Sequence, residues 1–400
     1  MWTIHSITQT TPEATLQRRG GWALWGVVAL ALAVGLVGNL GSRPMYAHEI
    51  FAAQTAREMV QSGDWIHPTY NGQDRLKKPP LMYWLAAGAS TITGASPPVP
   101  RWVARLPSAL AGAMLAGLCV VLGRRIYGAP TGVVAGVMVI GCIGFVEYAW
   151  SARPDMLYGA CCTLMLLGFV SATLPERDAR ARRMDSWIGW LGFAAATLAK
   201  GPHLPAIILL GVCLHLLIAG RRREILGTLR PISGALIVLA LCAPWVAAVV
   251  LQQEGTMALW MQQLFAGRDG GSDTPLREWL MPYYLWALPE LLLPWAVALP
   301  FGLFVAFQKG RDDLARGRVL AWIVFTVFVV MSIPNHRRGY YMLPIMAPIA
   351  VLMARGALDW LERIGAREVV RRRIGFAGCL CCSIAAGALV SRGIANGGGL

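Results

Sequence analysis

The chain has 400 residues, of which 56% are hydrophobic and only 14% charged, with a formal net charge of +15. A soluble chain of this length would carry about 25% charged residues, which excludes a soluble globular domain. The apolar runs lack dyad alternation, which excludes a β-barrel. The basic excess, which in a soluble protein would point to nucleic acid, is explained here by Arg-rich loops on the cytoplasmic side of a membrane.

The expected fold is all-α, a polytopic transmembrane helical bundle. A run of about 18 apolar residues is long enough to cross the hydrocarbon core. Taken in chain order, candidate spans fall at 21–41, 105–122, 129–149, 156–174, 187–200, 204–219, 231–251, 286–307, 318–334, 340–356 and 375–391, which is about eleven. Arg18 and Arg19 before the first run place the N-terminus inside, and that run is long enough to remain as an anchor.

The stretch 81–95 is apolar but short, with two Gly and three Ser/Thr. If it does not cross, the clusters at Arg124–Arg125, Arg177–Arg183, Arg221–Arg223, Lys309–Arg318 and Arg363–Arg373 all fall inside. If it crosses, they all fall outside, against the positive-inside rule. It is therefore expected as an interfacial or re-entrant helix.

The same parity puts the loops 42–104 and 252–285 outside, with the shorter turns Arg153–Asp155, Lys200–His203 and Pro334–Gly339. Residues 1–400 are expected as a single membrane domain with no soluble C-terminal domain. The nine cysteines sit in apolar runs with no metal-ligand spacing, so neither a disulfide framework nor a zinc cluster is expected.

The first outer loop holds the most chemistry. Residues 46–60 suit a helix stopped by Ser62-Gly63, and Asn71-Gly72 is a turn signal. Trp65, Tyr70, Tyr83 and Trp84 suit the headgroup layer. Lys77-Lys78-Pro79-Pro80 sets two cations before the interfacial helix, whose first turn the prolines suit.

Together these residues carry a resemblance. HEIFAAQTAREMVQSGDWIHPTYNGQDRLKKPPLMYWL is similar to the first periplasmic loop of bacterial glycosyltransferases related to the protein mannosyltransferases and the lipid A aminoarabinose transferases (families 39 and 83). Arg105-Leu106-Pro107-Ser108-Ala109, Ala152-Arg153-Pro154-Asp155, Ala199-Lys200-Gly201-Pro202, Leu293-Pro294-Trp295 and Tyr340-Tyr341-Met342-Leu343-Pro344 agree in order. The resemblance covers about residues 20 to 360. It implies a GT-C fold, a polyprenyl-phosphate sugar donor and inverting transfer.

The sequence departs from that pattern in four places. His48 stands where the family has the Asp of an Asp-Glu pair, and Glu49 keeps the second acid. Lys77 replaces the Glu before Lys-Pro-Pro, and 252–285 has no His. The family's metal ligands are thus missing, and no metal or other cofactor is expected. The soluble tail of many relatives is the fourth absence.

The expected catalytic residues are Glu49 as base, His48 beside it as an alternative base or orienting group, and Asp155 as a second carboxylate or as the structural partner of Arg153. Lys77, Lys78, Arg337 and Arg338 are expected to bind the lipid phosphate, with Arg153 and Tyr83 at the substrate. The simplest other use of the four cations Lys77, Lys78, Arg337 and Arg338 is contact with anionic headgroups. Lys200 reads as a cap on the outer end of a span, and Ser108 as a close-packing residue. No G-x-S-x-G, Walker loop or G-x-G-x-x-G is present, which leaves nucleotide-sugar use unsupported.

The expected activity is transfer of a sugar from a polyprenyl-phosphate donor to a lipid, glycan or protein acceptor on the periplasmic face of a bacterial inner membrane. A flippase of lipid-linked sugars is the alternative from another class, but it calls for mid-span charges and mirrored halves. A polysaccharide polymerase or ligase is the nearest enzymatic rival.

Overall fold

The computed structural model describes residues 12–37, 41, 43–95, 99–253, 255–265, 283–308, 316–333 and 337–363. Among these the chain is almost wholly helical. Helix α1 is Pro12–Val37. The first loop then forms α2 (Ala47–Ser62), strands β1 (Thr69–Tyr70) and β2 (Gln73–Asp74), and α3 (Leu81–Ile92). The bundle continues with α4 (Arg101–Tyr127), α5 (Ala129–Ile140), α6 (Ile143–Ala149), α7 (Pro154–Ala172), α8 (Ala179–Lys200) and α9 (His203–Ile218). A short α10 (Arg223–Gly227) leads into α11 (Pro231–Gln252) and α12 (Thr256–Phe265). The C-terminal part contains α13 (Tyr284–Leu292), α14 (Ala298–Phe307), α15 (Arg318–Ser332), a 3-10 turn at Gly339–Ile345, and α16 (Met346–Arg363).

Each of the first ten expected spans overlaps helix among the described residues, 129–149 and 286–307 as two helices each, and 375–391 lies outside the described residues. The helices on which those spans fall differ in length. Among the described residues only α4, α7, α11 and the unit Gly339–Arg363 are long and apolar enough to cross alone, and α5 with α6 makes a fifth span bent by 63°. Five apolar helices are shorter, at Trp22–Leu36, Leu81–Ile92, His203–Ile218, Ala298–Phe307 and Arg318–Ser332. Breaks and charged helix ends shorten segments that hydropathy alone reads as continuous. This is a multi-pass helical membrane protein.

α4, α7 and α16 form the core, with α8 packed antiparallel on α7. Small residues set the spacing of that pair. A Cβ on Gly168 of α7 would lie 2.3 Å from the Gly189 nitrogen, and one on Gly192 would lie 2.4 Å from the Met165 nitrogen. Hydrogen alone at these positions lets the two backbones touch. The contact fixes how the N-terminus of α7 meets the C-terminus of α8, and the candidate site is built there.

The first loop follows its sequence signals. Gly63 closes α2 in the left-handed conformation at φ 72°, where Gly has no Cβ penalty. Asn71 and Gly72 both have positive φ, 52° and 73°, as a two-residue hairpin turn requires. Thr69 pairs with Asp74 and Tyr70 with Gln73, a small hairpin that the all-α expectation did not include. Glu58 of α2 holds this turn, accepting from Thr69 Oγ1, Gln54 Nε2 and the amides of Asn71 and Gly72. Pro80 is the residue just before α3 rather than part of its first turn. Most of the 252–285 loop lies outside the described residues.

Candidate active site

At the start of α7, Asp155 is only 3% exposed and pairs with two cations. Arg153 Nε reaches its Oδ2 at 2.9 Å, and Lys200 Nζ, brought in at the end of α8, donates to Oδ1. The bend before α7 explains Arg153. Pro154 opens the helix, and Ser108 Oγ of α4 donates to the Arg153 carbonyl at 3.1 Å. Lys200 is held by the next turn, where Tyr158 OH donates to the Gly201 carbonyl and accepts from the Leu204 amide.

Aromatic faces surround the cations. The Tyr340 ring lies 4.7 Å from the Arg153 guanidinium and 4.4 Å from Lys200 Nζ. Tyr148 faces Arg153 at 5.1 Å, and Tyr341 faces Lys200 at 5.1 Å. Ring quadrupoles stabilise a cation without neutralising it. The cluster therefore keeps a positive excess around one carboxylate.

His48, on the first turn of α2, is exposed at the rim of this cluster. Partial burial and then the Arg153 cation hold its imidazole below the ordinary histidine value, with further help from Arg338 and Lys78, while Asp155 opposes them. His48 is therefore neutral at neutral pH and able to accept a proton. Lys78 is half-buried just before α3, and its field reaches both His48 and Asp155. Arg338 is exposed and Arg337 half-buried at the approach to the 3-10 turn.

The structure thus brings together His48, Lys78, Arg153, Asp155 and Arg338, all expected from sequence, and adds Lys200, Tyr148, Tyr340 and Tyr341. Lys200 is more than the helix cap it resembles in sequence, because it shares Asp155 with Arg153. Its side chain is 6% exposed, and in an apolar setting a lone ammonium would be costly.

Three expected residues lie elsewhere. Tyr83 is 4% exposed, packed with Ala52, Ala56 and Met59 between α2 and α3, and its hydroxyl takes a hydrogen bond from Arg75 Nε at 3.3 Å. That packing closes the loop and leaves no face for substrate. Lys77 is exposed, beside rather than within the cluster. Glu49 is not at the open mouth that a base needs. Its side chain is 0% exposed and is bridged to an equally buried Arg105 at 2.8 Å. Burial alone would raise its pKa, but hydrogen bonds from Arg105, Ala152 and Tyr46 and the Arg105 charge more than offset this, leaving it below the ordinary value. Among the described residues no group of three or more His, Cys, Asp or Glu is placed to hold a metal ion.

Comparison with known proteins bears on the fold and on the kind of protein this chain resembles. The family model of dolichyl-phosphate-mannose-protein mannosyltransferases matches residues 77–247. An undecaprenyl phosphate-alpha-4-amino-4-deoxy-L-arabinose arabinosyl transferase of Pseudomonas fluorescens is 27% identical, covering 89% of this chain and 59% of its own length. An uncharacterised protein of Aquifex aeolicus is also 27% identical, over 79% of this chain and 60% of its own. The chain thus spans about 60% of the length of these relatives.

Among solved structures, ArnT from Cupriavidus metallidurans bound to undecaprenyl phosphate superposes with a TM-score of 0.76 at 24% identity, over 90% of this chain and 64% of ArnT. The Archaeoglobus fulgidus oligosaccharyltransferase gives 0.62 at 12% identity, over 93% of this chain and 56% of that one. These two share the fold. The family match and the sequence relatives are likewise to glycosyltransferases that use lipid-linked sugars, so the chain is similar in both sequence and fold to the GT-C glycosyltransferases.

Proposed function

We propose that this protein is an inverting membrane glycosyltransferase that moves a sugar from a polyprenyl-phosphate donor to a lipid, glycan or protein hydroxyl on the periplasmic face of the inner membrane. The observation that carries this reading is the positive excess of Arg153, Lys200 and Lys78 around Asp155, with neutral His48 on its rim facing Arg338 as well. Such a cluster fits a phosphate leaving group, and the base beside it fits an acceptor hydroxyl. The relatives named as undecaprenyl-phosphate arabinosyl transferases support a polyprenyl donor.

In this mechanism the acceptor oxygen attacks the anomeric carbon from the face opposite the phosphate. A new C–O bond forms as the bond from that carbon to the phosphate oxygen breaks. The electron pair leaves with polyprenyl phosphate, whose charge the cations stabilise. The acceptor proton passes to the His48 imidazole, which becomes imidazolium. Single displacement inverts the anomeric centre. Asp155 holds Arg153 and Lys200 in place and keeps the cluster from repelling itself open.

The departures at His48 and Lys77 support a His-Glu variant that works without a divalent metal. Membranes carrying the protein are expected to consume undecaprenyl-phosphate-linked 4-amino-4-deoxy-arabinose or a related radiolabelled donor, and to continue in excess EDTA. Loss of transfer under EDTA, restored by zinc or manganese, would remove metal independence from the reading. Lipid-linked sugar that crosses vesicles while no donor is consumed would instead establish the flippase alternative.

A further inference from the structure

Building on the transferase reading, we propose that Glu49 and Arg105 form a positioning latch. The latch sets the His48 end of α2 against the Ala152–Asp155 corner, and neither residue touches substrate.

The argument starts from the Glu49 carboxylate. Its Oε1 accepts from Arg105 Nε and from the Ala152 amide, each at 2.8 Å. Its Oε2 accepts from Arg105 Nη2 and from the Tyr46 amide, each at 3.1 Å. An ionised carboxylate offers about four lone-pair sites, and all are taken. With 0% exposure it has neither room nor a free lone pair for an acceptor proton.

Those same bonds join α2, which carries His48, to α4 and to the turn that carries Arg153 and Asp155. The Tyr46 amide fixes the start of α2, one half of a capping box. The residue before Glu49 is His48. The residue after Ala152 is Arg153, which pairs with Asp155. Arg105 also donates to the carbonyls of Arg43 and Pro44, so α4 grips the approach to α2. Three residues further along α4, Ser108 grips the Arg153 carbonyl. The covalent and hydrogen-bonded path His48–Glu49···Ala152–Arg153···Asp155···Lys200 is thus continuous, and α4 clamps it at two points.

A charged pair suits this task better than an apolar contact. A bidentate guanidinium–carboxylate fork defines both distance and plane, whereas apolar packing defines volume. Buried pairs add little net stability over apolar isosteres, and their surplus value is geometric specificity. Here that geometry sets a proton acceptor against a leaving-group site, where a displacement of about 1 Å can cost on the order of 100-fold in rate.

The test uses two variants, Glu49→Gln and the double variant Glu49→Gln with Arg105→Met. The double variant strands no buried charge, so it is expected to recover the thermal stability that the single one loses. In both, kcat per folded molecule is expected to fall about 100-fold, with the donor KM within about twofold of wild type. The acid limb of the rate profile should persist and move to higher pH.

A second measurement needs no donor. In 13C-histidine-labelled protein in nanodiscs, assigned with His48→Gln, the His48 titration is expected to move up toward the ordinary value as its ring leaves its neighbours. Those neighbours are Arg153 and Asp155 from the α7 corner, Arg338 from the approach to the 3-10 turn, and Lys78 from the approach to α3. An acid limb abolished by Glu49→Gln would make Glu49 the base and overturn the latch. So would a double variant whose kcat returns with its stability, or an unmoved His48 titration in both variants. If wild type transfers no sugar but the His48 titration responds as expected, the latch stands and the transferase reading falls.

Discussion

At the residue scale, the site separates charges that look equivalent in sequence. His48 replaces an acid in the related pattern, and its environment makes the replacement serviceable. Partial burial and the Arg153 charge favour the neutral ring, so the base form is present well below neutral pH. The transfer rate is expected to fall only when pH drops below the ordinary histidine range. His48→Gln should lower kcat by 100-fold or more and remove this acid limb, measured as initial rates from pH 4.5 to 8.5. On the proposed mechanism Lys200→Met should be at least as damaging to donor use, because it removes a cation proposed to face the phosphate and leaves Asp155 half-paired. A donor KM unchanged in Lys200→Met would take Lys200 out of the phosphate site.

Much of this cluster was legible because its members stand in short local motifs. Arg153 and Asp155 announce each other two residues apart, and Lys78 stands before a double proline. Lys200 was harder to read, since a cation at a helix end is satisfied equally well by carbonyls or water, and its partner is 45 residues away. Arg105 was harder still. Its carboxylate partner lies 56 residues back, and nothing local marks an Arg at the start of an apolar run as buried. Tyr83 illustrates the reverse error, since an aromatic near a membrane surface reads as an interface anchor until its packing partners are known.

At the element scale, two contacts position the site from a distance. The α7–α8 seam is the first. Gly189 of α8 has Phe169 atoms 2.5 Å from where a Cβ would sit, and Gly168 faces the Gly189 backbone. Gly168→Val would force the helices apart, with overpacking costs of about 1–3 kcal/mol or more. Because Asp155 and Lys200 sit at the meeting ends of these helices, activity is expected to fall further than stability does. Circular-dichroism melts and transfer rates on the same sample separate the two effects. Equal losses would mean that the seam serves folding alone.

Glu58 makes the second contact. Burial raises its pKa somewhat, but hydrogen bonds from Thr69, Gln54 and the hairpin amides outweigh this and hold it below the ordinary carboxylate value. A folded-state pKa below the unfolded one gives stability that is present above the unfolded value and lost as pH falls through the folded one. The hairpin is therefore expected to loosen only below about pH 4.5, the ordinary value. Glu58→Gln should abolish that acid step in hydrogen exchange at Asn71 and Gly72 while leaving the bundle protected. The turn itself was readable from Asn71-Gly72, whereas its anchor on Glu58 required the third dimension.

At the scale of the whole molecule, the bundle is polarised along its axis, and this organises the charge pattern seen in sequence. α7 runs from Asp155 at one end towards Glu176 at the other, and α8 returns from Asp185 to Lys200. The site end gathers His48, Lys78, Arg153 and the hairpin. The opposite end gathers a different network, in which the buried Asp185 is bridged by Arg125 at 3.0 Å and Arg177 at 2.7 Å. There Arg316 also pairs with Glu176, and Arg221 pairs with Glu224. Charge parity in the sequence separated these same two groups of basic residues without any coordinates. It could do so because loop charge and helix direction are both one-dimensional properties. The shape of one span was less legible, since hydropathy does not register the 63° bend between α5 and α6.

The polarity makes a direct prediction about orientation. By the positive-inside rule the Arg-rich end is expected in the cytoplasm, and the site end outside. Gln73 in β2 and Arg180 near the start of α8 are both exposed and lie at opposite ends. In intact cells a membrane-impermeant maleimide is expected to label Gln73→Cys and to spare Arg180→Cys until the membrane is opened. The described native cysteines are free, and five of the six are buried, which keeps the background low. The reverse labelling pattern would put the cation cluster in the cytoplasm. It would then be a site for a donor loaded on the inner leaflet, and the periplasmic reading of the reaction would fall with it.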